Sequence, residues 1–246
     1  PLPGWIAEYG LDGIVSADGD GDRPLLLDGE GTFVRGDVLG LLAAQYLKAD
    51  TVVTPVTSNS GIERTGAFAR VLRTRVGSPF VVAEMDKGDG SVVGFEANGG
   101  TFVGRNVKAN GRALTELATR DAVLPILTAL GSASAAGGTI NDLVAGLPLR
   151  HALADRLQNV ASEKSARFLE RLEREDGYAQ TVFAGHGIAR VSNIDGLRFE
   201  LLSGDVVHFR ASGNAPELRS YVEGSTPKVA RDLLDWALSV SAEATR

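Results

Sequence analysis

Apolar positions along the chain switch between two patterns. Short runs bounded by Gly, Asp or Ser read as strands at residues 13–17, 24–28, 51–56, 69–74 and 91–95, the first as a buried strand and 51–56 as a β-branched parallel strand. Between them, helical spacing appears at 37–48 (Val38, Leu41, Leu42, Tyr46), 61–68, 78–85 and 119–130. Ser78 is placed to cap its helix with Pro79 at the first position, and Thr119 to cap the next. The Gly/Ser/Ala stretch 131–138 reads as a loop. This β-α-β-α order predicts an α/β architecture of parallel or mixed sheet units flanked by helices.

The pattern changes after about Leu149. A charged amphipathic helix at 162–175 precedes short strands at 188–191, 197–202, 206–209 and 218–222, and a helix at 227–240 closes the chain. This is an α+β module with an antiparallel sheet. The expected domains are 1–49, 50–155 and 156–246.

Composition narrows the function. The chain has 246 residues, net charge −6 and no basic stripe, which argues against nucleic acid as partner. There are no cysteines, so thiol chemistry and disulfides are excluded. No apolar stretch is long enough to span a membrane and no signal-peptide pattern is visible, so no membrane partner and a cytoplasmic location are expected. The oligomeric state is not legible. Thirty glycines, many between apolar runs, suggest tight turns and backbone-lined sites.

Three motifs carry chemistry. In Asp18-Gly19-Asp20-Gly21-Asp22-Arg23, carboxylates two apart alternate with glycines between two apolar strands. Each pair repels by about 3–4 kcal/mol at an effective dielectric near 20, and a divalent cation offsets that. Oxygen-only ligands suit a hard ion such as Mg²⁺ or Ca²⁺. An EF-hand needs Gly and Glu where this chain has Arg23 and Gly29, and helices where it has strands. In Gly94-Phe95-Glu96-Ala97-Asn98-Gly99-Gly100, a carboxylate and an amide two apart can reach polyol hydroxyls; a hairpin turn explains it equally well. In His208-Phe209-Arg210-Ala211-Ser212-Gly213-Asn214-Ala215-Pro216-Glu217-Leu218-Arg219, two arginines, a hydroxyl and loop N–H groups suit a phosphate; a solvated polar turn is the alternative.

In this order and spacing the motifs resemble the α-D-phosphohexomutase family of phosphomannomutases, phosphoglucomutases and amino-sugar relatives. The resemblance implies that Asp18, Asp20 and Asp22 ligate Mg²⁺ and that Arg23 lies beside the phosphoryl group. It implies that Glu96 and Asn98 contact sugar hydroxyls, and that Arg210, Ser212, Gly213 and Asn214, with Arg219 nearby, grip a phosphate. The implied reaction interconverts hexose 1- and 6-phosphates through a phosphoserine and a bisphosphate.

The chain departs from the family in three places. The family's serine loop ends His-Asn-Pro before the metal loop; that tripeptide is absent here, and Thr57-Ser58-Asn59-Ser60 reads as a helix-entry loop. A C-terminal portion without the phosphoserine domain, inactive alone, is therefore expected. Ser78 stands where many members have His, and Phe95–Gly100 where the sugar loop usually reads Gly-Glu-x-Ser-Gly-His. Asn98 is similar to the N-acetylglucosamine-phosphate mutase branch. That branch (with glucosamine-phosphate mutases) and a non-catalytic sugar-phosphate-binding protein are the alternatives. The histidines 151, 186 and 208 form no triad, and His208 reads as packed or surface-facing.

Overall fold

The computed structural model describes residues 2–246, which divide into two compact units, 2–149 and 150–246. The first unit opens with α1 (Leu2–Tyr9) and an antiparallel hairpin, β1 (Ile14–Ala17) and β2 (Pro24–Leu27), registered Ala17 to Pro24. Only β2 is buried, contrary to the expectation for residues 13–17; Val15, Ser16 and Ala17 are exposed. Of the two strands it is β2 that packs on the rest of the unit: Leu26 lies among Val34, Val38, Leu39 and Leu42, whereas its cross-strand partner Val15 is exposed.

After α2 (Gly36–Tyr46) the chain alternates β3 (Thr51–Pro55), α3 (Gly61–Arg64), β4 (Arg70–Thr74), α4 (Ser78–Met85) and β5 (Val92–Phe95). It then returns through β6 (Thr101–Val103), a small hairpin of β7 (Lys108–Ala109) and β8 (Arg112–Ala113), and β9 (Leu117–Asp121). The five-stranded sheet has the order β4-β3-β5-β6-β9, parallel among β4, β3 and β5 and antiparallel at β6 and β9. Successive residues serve opposite faces. Val52, Val93 and Phe95 pack with Leu41 and Ala44 of α2, whereas Val53 and Val92 pack with Val81 and Met85 of α4.

Two helices complete this unit, α5 (Val123–Ala136) and α6 (Ile140–Ala145). The helix expected from Thr119 begins four residues later, and residues 131–136, expected as loop, belong to it. Asp121 Oδ1 accepts the Val123 and Leu124 N–H groups at 2.7 Å, so Asp121 is the side chain that satisfies the helix start. The small residues of its second half let α5 lie against α2: Gly131 faces the Tyr46 ring.

The second unit is built on five antiparallel strands, β10 (His151–Gln158), β11 (Ile188–Ser192), β12 (Leu197–Leu201), β13 (Val206–Ala211) and β14 (Glu217–Gly224). Their order is β10-β14-β13-β12-β11. Because β10 pairs along its length with β14, this unit starts at Arg150, ahead of the division at 155/156 read from the sequence. Helices α7 (Ser162–Arg174), α8 (Tyr178–Val182) and α9 (Pro227–Ala244) contribute to a core centred on Phe168, Phe183, Phe199 and Phe209, with Trp236 edge-on to Phe183. Thr226 caps α9 by accepting the Val229 N–H.

Inside the second unit Arg150 and Asp205 form a buried ion pair. Asp205 also accepts the Ser225 N–H at 3.0 Å and the Ser203 hydroxyl at 2.6 Å, so its charge is well compensated.

Candidate functional site

The segment between β1 and β2 is a tight loop closed on Asp18. Its N–H donates to the Arg23 carbonyl, and its Oδ1 accepts the N–H groups of Asp22 and Arg23, both at 3.2 Å. Arg23 Nε donates to its Oδ2. Desolvation alone would raise the Asp18 carboxyl, but these donors together outweigh it and hold the carboxyl below its ordinary pKa. Gly21 adopts φ +73°, a conformation that suits glycine in so short a loop.

Asp18, Asp20 and Asp22 each present a carboxylate oxygen, all within 4.8 Å of one another. Asp22 Oδ1 is buried and accepts no hydrogen bond, with Arg23 Nε at 3.5 Å. A buried carboxylate oxygen without a donor is costly unless a cation faces it. Three hard oxygen donors and that unsatisfied atom fit a divalent ion of the Mg²⁺ type.

The second sequence motif lies beside this loop. Glu96 and Asn98 sit in the turn between β5 and β6, where Glu96 N–H donates to the Gly100 carbonyl and Gly99 N–H to the Glu96 carbonyl. A Cβ on Gly36 would lie 2.2 Å from the Asn98 carbonyl carbon, and one on Gly99 2.6 Å from Pro24 Cγ. Close approach at these two glycines therefore seats the turn on the start of α2 and on the residue after Arg23. Glu96 is buried and Asn98 exposed. Asn98 Oδ1 accepts the Gly100 N–H at 3.0 Å, which leaves its amide donors for a ligand.

Ser78 does not cap α4; Gly77 holds the cap position. The Ser78 hydroxyl instead donates to Glu96 Oε2 at 2.8 Å. Arg120, near the end of β9, was not singled out in the sequence. Its Nε donates to Asp22 Oδ2 at 2.7 Å and its Nη1 to Glu96 Oε2 at 3.2 Å. Partial burial opposes its charge, but the bonds to Asp22 and Glu96 outweigh that and raise its pKa above the ordinary value.

The residues of the third motif lie in the second unit. Arg210 and Arg219 are directly opposed across β13 and β14, and Arg156 of β10 opposes Arg219, so three guanidinium side chains share one row. Like charges in a row need counter-charges. Arg210 Nε pairs with Asp195 Oδ2 at 2.7 Å, and Arg219 and Arg156 both pair with Glu217, at 3.1 Å. Ser212 Oγ accepts the Asn214 N–H at 3.4 Å, and Gly213 and Asn214 are exposed. Arg156 is a further candidate that sequence reasoning missed.

His208 is packed: it is 1% exposed and stacks on Tyr221, and its Nε2 lies 2.6 Å from the Asp195 carbonyl oxygen. Ser60 directly precedes α3, so residues 57–60 form the entry loop to that helix, as read from the sequence. Arg73 donates to the carbonyls of Pro55, Ser58 and Asn59 and fixes this loop.

Residues 35–150 match the family model for phosphoglucomutase/phosphomannomutase, alpha/beta/alpha domain III. A phosphomannomutase of Sinorhizobium fredii is 44% identical over 244 residues, covering 97% of this chain and 51% of the relative. Among solved structures, a phosphoglucomutase/phosphomannomutase family protein from Burkholderia thailandensis superposes with a TM-score of 0.73 at 18% identity, over 99% of this chain and 50% of its own. An N-acetylphosphoglucosamine mutase of Aspergillus fumigatus, crystallised with GlcNAc-6P and magnesium, superposes with a TM-score of 0.67 at 17% identity, over 96% and 49%. The chain spans about half the length of the relatives it matches. Among the described residues no helix is long and apolar enough to cross a membrane.

Proposed function

We propose that this chain, which belongs to the phosphoglucomutase/phosphomannomutase family, supplies the cation, sugar and phosphate loops of a cytoplasmic phosphohexomutase. The observation that carries this is the junction in the first unit. A three-carboxylate loop and a buried glutamate beside an exposed amide are joined by one guanidinium.

Each group has a task in that reaction. Asp18, Asp20 and Asp22 would hold Mg²⁺, which when bound offsets charge on a transferring phosphoryl group. Support for that ion comes from the donor set and from the magnesium complex of the Aspergillus fumigatus protein. Arg23, exposed at the mouth of the loop, adds a guanidinium to the same phosphoryl oxygens. Glu96 accepts from sugar hydroxyls, with its carboxylate oriented by Ser78 and Arg120, while Asn98 donates to them. Arg210, Ser212, Gly213, Asn214 and Arg219 take the phosphate that does not react. Asp195 and Glu217 hold the two arginines until it arrives.

The fragment expectation and the domain division stand on the same reading. The family match begins at residue 35, so we place α2 with the sugar-binding domain and residues 1–34 with the domain that carries the cation loop. No His-Asn-Pro sequence occurs in these 246 residues, so the chain alone offers no family nucleophile.

The test is turnover. Full-length protein containing this segment should convert mannose 1-phosphate to the 6-phosphate in a Mg²⁺-dependent way, faster than glucose or N-acetylglucosamine 1-phosphate. The isolated chain should convert none. Measurable turnover by the isolated chain would overturn the fragment reading, and no turnover of any of the three sugars by the full-length protein would overturn the mutase reading.

A further inference from the structure

Arg120 joins the loop of Asp18–Arg23 to the turn that holds Glu96. Its guanidinium lies against Asp22, with Nη2 at 2.5 Å from Oδ2 and Nε at 2.7 Å, and reaches Glu96 Oε2 with Nη1 at 3.2 Å. The two bonds to one carboxylate oxygen make Asp22 the stronger partner.

The arginine is also built into place. A Cβ on Gly100 would lie 2.5 Å from Arg120 Cδ, 2.7 Å from its Cγ and 2.9 Å from its Cβ, so the bare glycine leaves the channel through which the aliphatic stem runs. The next residue, Asp121, anchors α5 through two N–H bonds and so fixes the backbone that carries Arg120. On the far side, Ser78 holds the same Glu96 oxygen that Arg120 uses. In the sequence, both Ser78 and Gly100 depart from the family pattern, which has His at each place.

This arrangement has an electrostatic consequence. Asp22 has one oxygen given to Arg120 and the other without a hydrogen-bond donor. A dication held by Asp18, Asp20 and Asp22 would stand next to the Arg120 guanidinium, and like charges at that separation repel. We propose that Arg120 is a positioning residue that holds Asp22 in competition with the divalent cation. Cation binding draws Asp22 away and leaves Arg120 on Glu96 with Nε and Nη2 turned free for a phosphoryl oxygen of the sugar phosphate. Cation and sugar phosphate are thereby linked through one side chain, and the linkage is reciprocal. This inference rests on the cation-loop reading above.

Mn²⁺ titration of the 246-residue chain, followed by electron paramagnetic resonance, tests it. Arg120→Met should bind Mn²⁺ about fivefold tighter than the unmodified chain, the size expected for removing one partly exposed ion pair that competes. Gly100→Ala, which pushes the stem off its channel while keeping every charge, should also tighten binding. A purely structural arginine predicts the reverse, because its loss would loosen the loop. Unchanged or weaker Mn²⁺ binding in both variants, with the unmodified chain still binding, overturns this inference and leaves the cation-loop reading standing. Absence of Mn²⁺ binding in the unmodified chain and both variants overturns both. If Arg120→Met fails to fold, the Gly100→Ala titration decides.

Discussion

Replacing Asp20 by Asn lowers the affinity of the chain for Mn²⁺ about a hundredfold, the scale on which loss of a charged ligand exceeds loss of an outer partner. The same change leaves the cation-free protein as stable or slightly more so. Asp20 is exposed and makes no hydrogen bond or ion pair with the described residues, unlike Asp18 and Asp22. Its carboxylate therefore contributes repulsion to the empty loop and attraction only to a bound ion. Calorimetric titration with Mn²⁺, together with thermal unfolding in a chelator, separates the two effects. A fall in cation-free stability without a fall in affinity would mean that Asp20 serves the loop and not an ion.

The second large effect is on the pH dependence of the second unit. Burial, with lesser help from Arg198 and Arg210, lowers His208 from 6.5 to about 4, against the opposing influence of its bond to Asp195. Folded protein therefore keeps this imidazole neutral, with Nε2 donating to the Asp195 carbonyl, while unfolded chain protonates it near pH 6.5. Between pH 6.5 and 4 the unfolded state binds the extra proton, so stability falls as pH falls. The cost is about 2 kcal/mol at pH 5 and about 3 kcal/mol by pH 4. Glu200 leaves the range from pH 7 to 5 to His208 and adds to the fall only near pH 4. Arg190, with Arg198, holds its pKa down to about 2, so its contribution is lost only as pH falls below the ordinary 4.5. Hydrogen exchange of β13 and β14 should weaken steeply from pH 7 to 5 in the unmodified chain and much less in His208→Gln. Equal slopes would show that His208 titrates normally.

That Asp18, Asp20 and Asp22 gather in one loop was legible because the contacts that shape it are local. Three acids, two glycines and Arg23 occupy one short segment, and the hydrogen bonds made within it span five residues or fewer. Glu96 and Asn98 were legible for the same reason. Arg120 was not: it meets Asp22 across 98 residues, and in the sequence it stands where apolar spacing already suggested a helix starting at Thr119. The structure instead runs the strand through Asp121 and lets that aspartate start α5. Ser78 was misassigned by the same local logic. A serine before a proline suits a cap, but a tertiary partner, Glu96, takes its hydroxyl.

The α/β and antiparallel patterns were visible because burial imposes its period on the sequence. Val52 and Val53, adjacent on β3, face α2 and α4 respectively, and Phe209 and Arg210 divide the two faces of β13. What escaped was decided by distant contacts: the exposure of β1, the helical state of residues 131–136, and the pairing of β10 with β14.

On our proposal Asp18, Asp20 and Asp22 form a divalent-cation site beside the Glu96 turn, and anomalous scattering from crystals of the chain grown with Mn²⁺ tests it. One peak touching oxygens of all three aspartates is expected, and in Arg120→Met crystals the same peak at higher occupancy. No peak at these carboxylates in crystals saturated with Mn²⁺, or a peak only at other acids, would contradict it.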